Sequence, residues 1–299
     1  MPLRSVIRGL TTHLVVALVA LVVIGGATRV MEAGLACPDW PLCYGVFLPG
    51  RQMNPRVFLE WFHRLDAFLV GIALLVLLTL SVWWRRQLPA WYPWASTFAL
   101  ALVAVQGALG ALTVTGLLAS STVTAHLATA LLLVVWISAL DQFLPEGSLP
   151  KAPPAWWFPL PVISLVLVFS QCVLGGAMAS QWAVDHCFQS GDLCEWLLLH
   201  RQLALPATLS VAVMAAASIL SPSIETRIKT QALVAISLVG LQVSLGLLTL
   251  RAQLQAPLLT IGHQLVAALL VAQLSALCGR MFVLWFNKSE SPSLKVSCG

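Results

Sequence analysis

Eight long apolar stretches run along the chain, at roughly 10–29, 59–83, 93–115, 122–143, 156–180, 196–220, 229–252 and 258–286. Short polar or turn-forming segments separate them. Each is close to or above the ~20 residues that a helix needs to cross a bilayer. None alternates apolar and polar residues with a period of two, so the runs predict helices and not barrel strands. The first follows Arg4 and Arg8 in the manner of a secretory leader. It is longer than a leader's apolar region of ~7–15 residues, and a matching run recurs uncleaved later in the chain, so it reads as a span.

Composition agrees with this pattern and narrows it. Of 299 residues, 59% are hydrophobic and only 9% charged, against about 25% charged in ordinary globular chains. A soluble domain is excluded, and so is disorder outside the Ser- and Lys-containing tail at 287–299. The net charge of +5 is a topology signal and not a nucleic-acid footprint. Arg4, Arg8, Arg85, Arg86, Lys151, Arg227, Lys229, Arg280, Lys288 and Lys295 fall on one side. The other side has Arg51 and Arg56, with Arg29, Arg64, Arg201 and Arg251 at helix ends. The positive-inside rule then predicts a multi-pass protein of the cell membrane with both termini cytoplasmic. The loops at 30–58 and 181–195 are expected outside.

The chain also repeats itself. Gly25-Gly26-Ala27 returns as Gly175-Gly176-Ala177, and twelve residues after each first glycine stands a cysteine, Cys37 and then Cys187. A second cysteine follows each, Cys43 and Cys194. The pattern Gln106-x-x-Leu109-Gly110-x-Leu112-Thr113 returns as Gln242-x-x-Leu245-Gly246-x-Leu248-Thr249. His63 and His126 are 63 residues apart, and so are His200 and His263. One such match would reflect only helix packing. Five in the same order predict an all-α membrane protein of two tandem, pseudo-symmetric four-helix bundles, at 1–150 and 151–286.

The four histidines open the second, fourth, sixth and eighth runs, so each half carries two at one depth on different helices. Ionisable residues are expensive inside a membrane and mark function there. A zinc site asks for three or four ligands, and only Glu60 stands close to any of these histidines in sequence. Haem iron needs two axial ligands, and an apolar bundle supplies the cavity for its macrocycle. His63, His126, His200 and His263 are therefore expected to be haem-iron ligands. Arg64 and Arg201 directly follow two of them and are candidate partners for haem propionates; snorkelling to lipid headgroups is the alternative. His13, near the cytoplasmic end of the first run and without a repeat partner, and His186, in a loop beside Cys187, read as non-ligands.

Cys37/Cys43 and Cys187/Cys194 enclose five and six residues in the two outward loops, where disulfides persist. Each reads either as a structural staple or as a redox-active pair. Cys172 and Cys278 lie in spans and read as small buried hydrophobes; Cys298 is in the tail. The halves differ at one carboxylate. Glu60 precedes His63 by three residues and shares its helix face. Glu195 precedes His200 by five and is turned about 140° away. Glu60 is read as a proton acceptor or charge stabiliser, with an i,i+4 ion pair to Arg64 as the alternative.

The run Gly25-Gly26-Ala27-Thr28-Arg29, then Ala36-Cys37-Pro38-Asp39-Trp40-Pro41-Leu42-Cys43-Tyr44-Gly45, then Glu60-x-x-His63-Arg64 closely resembles the heme A synthase family of cytochrome oxidase assembly enzymes. The resemblance covers essentially the whole chain. It implies an oxidoreductase that converts the C8 methyl group of heme O to a formyl group, giving heme A. It implies that His63 and His126 flank the substrate heme O, that His200 and His263 ligate a resident heme b, and that Glu60 is the catalytic carboxylate. The implied partners are heme O, the heme O synthase that delivers it, membrane lipid and an electron acceptor, with a homo-oligomer as a candidate assembly. Family members without the outer cysteines exist, which gives the histidines more catalytic weight than Cys37 and Cys43. Two readings from other classes share the bis-histidine core: a haem electron-transfer protein, and a haem-handling transporter or chaperone. A carboxylate at one site only favours the enzyme.

Overall fold

A computed structural model describes residues 3–145, 152–179 and 195–289. The described residues form eight α-helices, α1 (Leu3–Val30), α2 (Pro55–Trp83), α3 (Tyr92–Thr115), α4 (Ser120–Leu140), α5 (Pro159–Met178), α6 (Glu195–Leu220), α7 (Thr226–Arg251) and α8 (Pro257–Ser289). All eight are long and apolar enough to span a bilayer, and no strand occurs among the described residues. This is a multi-pass, all-helical membrane protein. Several helices outrun the apolar stretches that predict them. At 28 residues and ~1.5 Å per residue, α1 is about 42 Å long. That matches a bilayer measured through its headgroups and not its hydrocarbon alone, so α1 takes in Arg4 and Arg8.

The helices close into two rings. Helix α1 packs on α2, α2 on α3, α3 on α4 and α4 back on α1; α5, α6, α7 and α8 repeat that circuit. The rings meet through α4–α8, α1–α8 and α4–α5. Exchanging the halves turns α1–α8 into α5–α4 and leaves α4–α8 unchanged. Helix α8 sits in the middle, with 61% of its span buried against 17–33% for the others. Close approach there requires small side chains: a Cβ on Gly279 would stand 2.7 Å from the Ala139 carbonyl oxygen, and the Ser275 hydroxyl donates to the Val135 carbonyl at 2.5 Å. Leu14, Leu74, Leu133, Ile137, Leu274 and Leu277 fill the core around this seam.

Local chemistry sets the helix ends that matter for the site. Asn54 caps α2, its Oδ1 accepting from the backbone N–H of Arg56 and Val57, with Pro55 pre-set at the first helical position. Helices α3 and α7 end alike. Leu117 and Leu118 take φ of 50° and 61°, and Gln253 and Leu254 take 50° and 62°. The Leu118 N–H donates to Thr113 O, and the Leu254 N–H to Thr249 O. Two consecutive left-handed non-glycine residues are a costly conformation, and its recurrence starts α4 and α8 in the same way. His126 and His263 lie in the second turn of those helices.

Candidate functional site: two glycine-seated histidine pairs

Each of the four predicted histidines rests against a bare glycine on the neighbouring helix. A Cβ on Gly25 of α1 would lie 2.8 Å from His63 Cε1, and one on Gly175 of α5 would lie 2.9 Å from His200 Cε1. Gly246 stands in the same relation to His263 at 3.1 Å, and Gly110 to His126 at 3.5 Å. The duplicated glycine motifs are therefore seats for imidazole rings. The second glycine of each pair faces the other half: a Cβ on Gly26 would meet Gln264 of α8, and one on Gly176 would meet Leu127 of α4. His63 interacts electrostatically with His126, and His200 with His263, so the histidines are brought together in the predicted pairs. Among the described residues, no three His, Cys, Asp or Glu side chains converge on one point.

Hydrogen bonding separates the pairs. In the second half, the side-chain amide of Gln171 lies 3.0 Å from His200 Nδ1 and donates to the His200 carbonyl. His263 Nδ1 lies 3.1 Å from the Gln242 carbonyl, and its Nε2 lies 3.2 Å from that residue's amide nitrogen. In the first half, Gln106 donates to the His126 carbonyl at 2.8 Å, but the Nδ1 atoms of His63 and His126 are buried without a partner. At Gln171's repeat position α1 carries Leu21, which can offer nothing to His63.

The Cys37–Cys43 loop, closed by a disulfide with Cα atoms 4.8 Å apart, is tied to α2 at Glu60 and Arg64, on either side of His63 in sequence. Both cysteines are buried with Val57 of α2, against Met53 and Trp61. Arg64 stands beneath the loop and donates to the carbonyls of Asp39, Leu42 and Cys37, and to Glu60 Oε1. Glu60 Oε2 accepts from the Cys37 N–H at 2.8 Å. Glu60 is 4% exposed, so this charged residue is buried with both oxygens paired. Asp39 accepts from the N–H groups of Tyr44 and Gly45 at 2.6 and 2.7 Å. The Gly45 N–H, then the Tyr44 N–H and the Arg64 charge, hold its carboxyl below the usual carboxylate range.

Arg201 and Glu195 are exposed at the start of α6. His13 is exposed and contacts its own helix at the Gly9 carbonyl. Cys172 and Cys278 are free thiols in α5 and α8. Cys187, Cys194, His186 and Cys298 lie outside the described residues. One polar residue was missed from sequence. Asp66, one turn further along α2 than His63, has a buried carboxylate oxygen without a partner. An acidic residue inside an apolar span was the available signal.

Residues 8–275 match the family model of the cytochrome oxidase assembly proteins. The chain belongs to that family. It is similar to the heme A synthase of Sphingopyxis alaskensis, 29% identical over 89% of this chain and 90% of that protein. It is similar to the heme A synthase of Shewanella oneidensis at 27% identity, over 91% of this chain and 94% of that one. A shorter likeness, 34% identical over 31% of this chain, connects it to a protoheme IX farnesyltransferase of Halobacterium salinarum and covers 20% of that protein. The family match spans both histidine pairs, both glycine motifs and the disulfide loop.

Proposed function

We propose that this cytochrome oxidase assembly protein is a heme A synthase, oxidising the C8 methyl group of heme O to a formyl group. The observation that carries the reading is the two glycine-seated histidine pairs, one furnished with polar partners and one left bare. Its likeness to heme A synthases along nine-tenths of the chain points the same way. The pairs fit haem: each offers two imidazoles from different helices of an apolar four-helix circuit, and among the described residues no third His, Cys, Asp or Glu converges on them. His200 and His263, already oriented by glutamine, would hold a resident heme b; His63 and His126 would flank heme O as substrate. A bound heme b supplies one-electron redox chemistry.

The chemistry at the substrate is a four-electron oxidation: methyl plus one water gives formyl, with four protons and four electrons released to an acceptor. The protein positions the macrocycle, excludes bulk water and provides charge near the reacting carbon. Arg64 holds the disulfide loop over the His63 face through three carbonyls. Glu60 is the carboxylate on that face, and its ion pair with Arg64 fixes its place. A negative charge there stabilises positive charge developing on the conjugated methyl carbon. Arg201, exposed at the start of α6, is the candidate propionate partner in the second half. By the positive-inside rule the distribution of basic residues favours the disulfide loop outside the cell membrane and both termini in the cytoplasm. The farnesyltransferase likeness supports a farnesyl-transferring enzyme as the source of the substrate.

Acid extraction and chromatography of the haems in the purified protein tests this reading. Heme b together with heme O or heme A is expected. Heme b alone in both sites would overturn it in favour of an electron carrier, and protein without tightly bound haem in favour of a transporter.

A further inference from the structure

We propose that Asp66 is a positioning residue that accepts a hydrogen bond from the Nδ1–H of His63 once iron occupies Nε2, making His63 the more electron-donating of the ligands. The proposal rests on the reading of His63 as a haem ligand and extends it to a residue with no repeat counterpart.

Two buried polar atoms in the first half lack partners three residues apart on one helix: His63 Nδ1 and Asp66 Oδ2. Residues at i and i+3 are neighbours on a helix surface, about 4.5 Å apart along the axis. Helical side chains lean toward the N-terminus, so Asp66 leans back toward His63. The other charged groups on this stretch of α2 are already engaged, since Glu60 and Arg64 hold each other and the disulfide loop. A buried carboxylate oxygen and a buried imidazole nitrogen, both unpaired, are each costly alone and relieve each other when joined.

The repeat supports this with a reciprocal exchange. The second half has Gln171 on α5 beside His200 Nδ1 and Leu203 at the position matching Asp66. The first half has Leu21 at the position matching Gln171, and Asp66 on α2. Each half thus carries one polar side chain for this imidazole, from a different helix and of different charge. A metal-bound histidine almost always gives its second N–H to a carboxylate, a carbonyl or water, and a carboxylate raises its basicity most. A more basic axial ligand favours ferric over ferrous iron. The exchange therefore sets the two irons at different potentials, the first-half iron lower than with a neutral acceptor.

The test uses the full-length protein with both sites filled by ferric protohaem, read by electron paramagnetic resonance and by optical redox titration. His63→Ala should abolish one low-spin signal and so assign it to the first half. Asp66→Asn should shift that same signal and raise its midpoint potential, leaving the second signal unmoved as a check on folding. Asp66→Glu should restore the lower potential. Unchanged signals and potentials in Asp66→Asn, with His63→Ala still abolishing one, would overturn the role of Asp66 and leave the haem site standing. If His63→Ala abolishes neither signal, the haem reading of that pair fails, and this proposal with it. Should Asp66→Asn not accumulate, the double variant Gln171→Leu/Leu203→Asp moves the carboxylate to the second half. A fall in the potential of the His200 haem supports the proposal, and an unshifted potential overturns it.

Discussion

Around His200 and His263 the second half brings up glutamine side chains and a backbone carbonyl. Around His63 and His126 the first half leaves both Nδ1 atoms bare, and a disulfide-closed loop is anchored to α2 beside His63 by Glu60 and Arg64. The glycine seats, the left-handed turns after α3 and α7 and the helix circuit are common to both. What was duplicated is where the imidazoles sit; what diverged is what they touch. A pair whose Nδ1 atoms already have partners suits a permanent occupant. A pair with open hydrogen-bonding capacity beneath an anchored loop suits an occupant that comes and goes.

The largest expected effect would break this comparison outright. His200→Ala or His263→Ala should remove most haem absorbance from the purified protein. His63→Ala or His126→Ala should keep the resident haem spectrum while abolishing heme A formation. Equal haem loss in all four variants would mean that the halves do the same work.

Next is the carboxylate. Glu60→Gln keeps the size of the side chain and removes its charge, so heme A output should fall by roughly 10²–10³ with substrate still bound. The matched change Glu195→Gln, on an exposed residue, should alter stability by no more than about 0.5 kcal/mol and leave turnover unchanged. Near-normal heme A output from Glu60→Gln would leave Glu60 as an anchor of the loop alone.

A smaller and graded effect is expected at the seats. Gly25→Ala and Gly175→Ala put a methyl group 2.8 and 2.9 Å from an imidazole carbon, an overpacking that costs about 1–3 kcal/mol. The first should reduce turnover, and the second should reduce the resident haem measured by absorbance. Gly110→Ala, with 3.5 Å available, should be tolerated in both assays.

The smallest effect concerns Asp39. Its carboxyl is held below the usual range in the folded loop, so the unfolded loop binds more protons at mildly acidic pH. The contribution to loop order is fully present above the unfolded value of about 3.9 and is lost as pH falls through the lower folded value. Hydrogen exchange at the Tyr44 and Gly45 amides should report protection that persists into the acid range in the native protein. Asp39→Asn should remove that pH dependence.

The spans, the repeat and the four histidines were legible because periodicity and spacing are written along the chain. The Glu60–Arg64 ion pair could also be read, as one of two alternatives, from an i,i+4 spacing. That Glu60 also takes the Cys37 N–H, 23 residues away, could not, because a contact between a loop and a helix leaves no period. The glycines were visible as motifs but not as seats, since their partners stand on other helices. Asp66 escaped for a different reason. A search for duplicated residues passes over one that occurs once, and the residue without a counterpart is where the two sites part company.

The glycine seats also bear on what the proposed haem binding would cost. A side chain immobilised on binding typically costs about 0.5–1.5 kcal/mol in lost rotamer freedom. His63 and His200 have their rings set against Gly25 and Gly175 by helix packing, so much of that ordering belongs to helix assembly. Preorganisation of this kind would shift entropy from binding of the proposed haem to the insertion and packing of the protein. The pairing of α1 with α2 and of α5 with α6 would then do part of the work of binding.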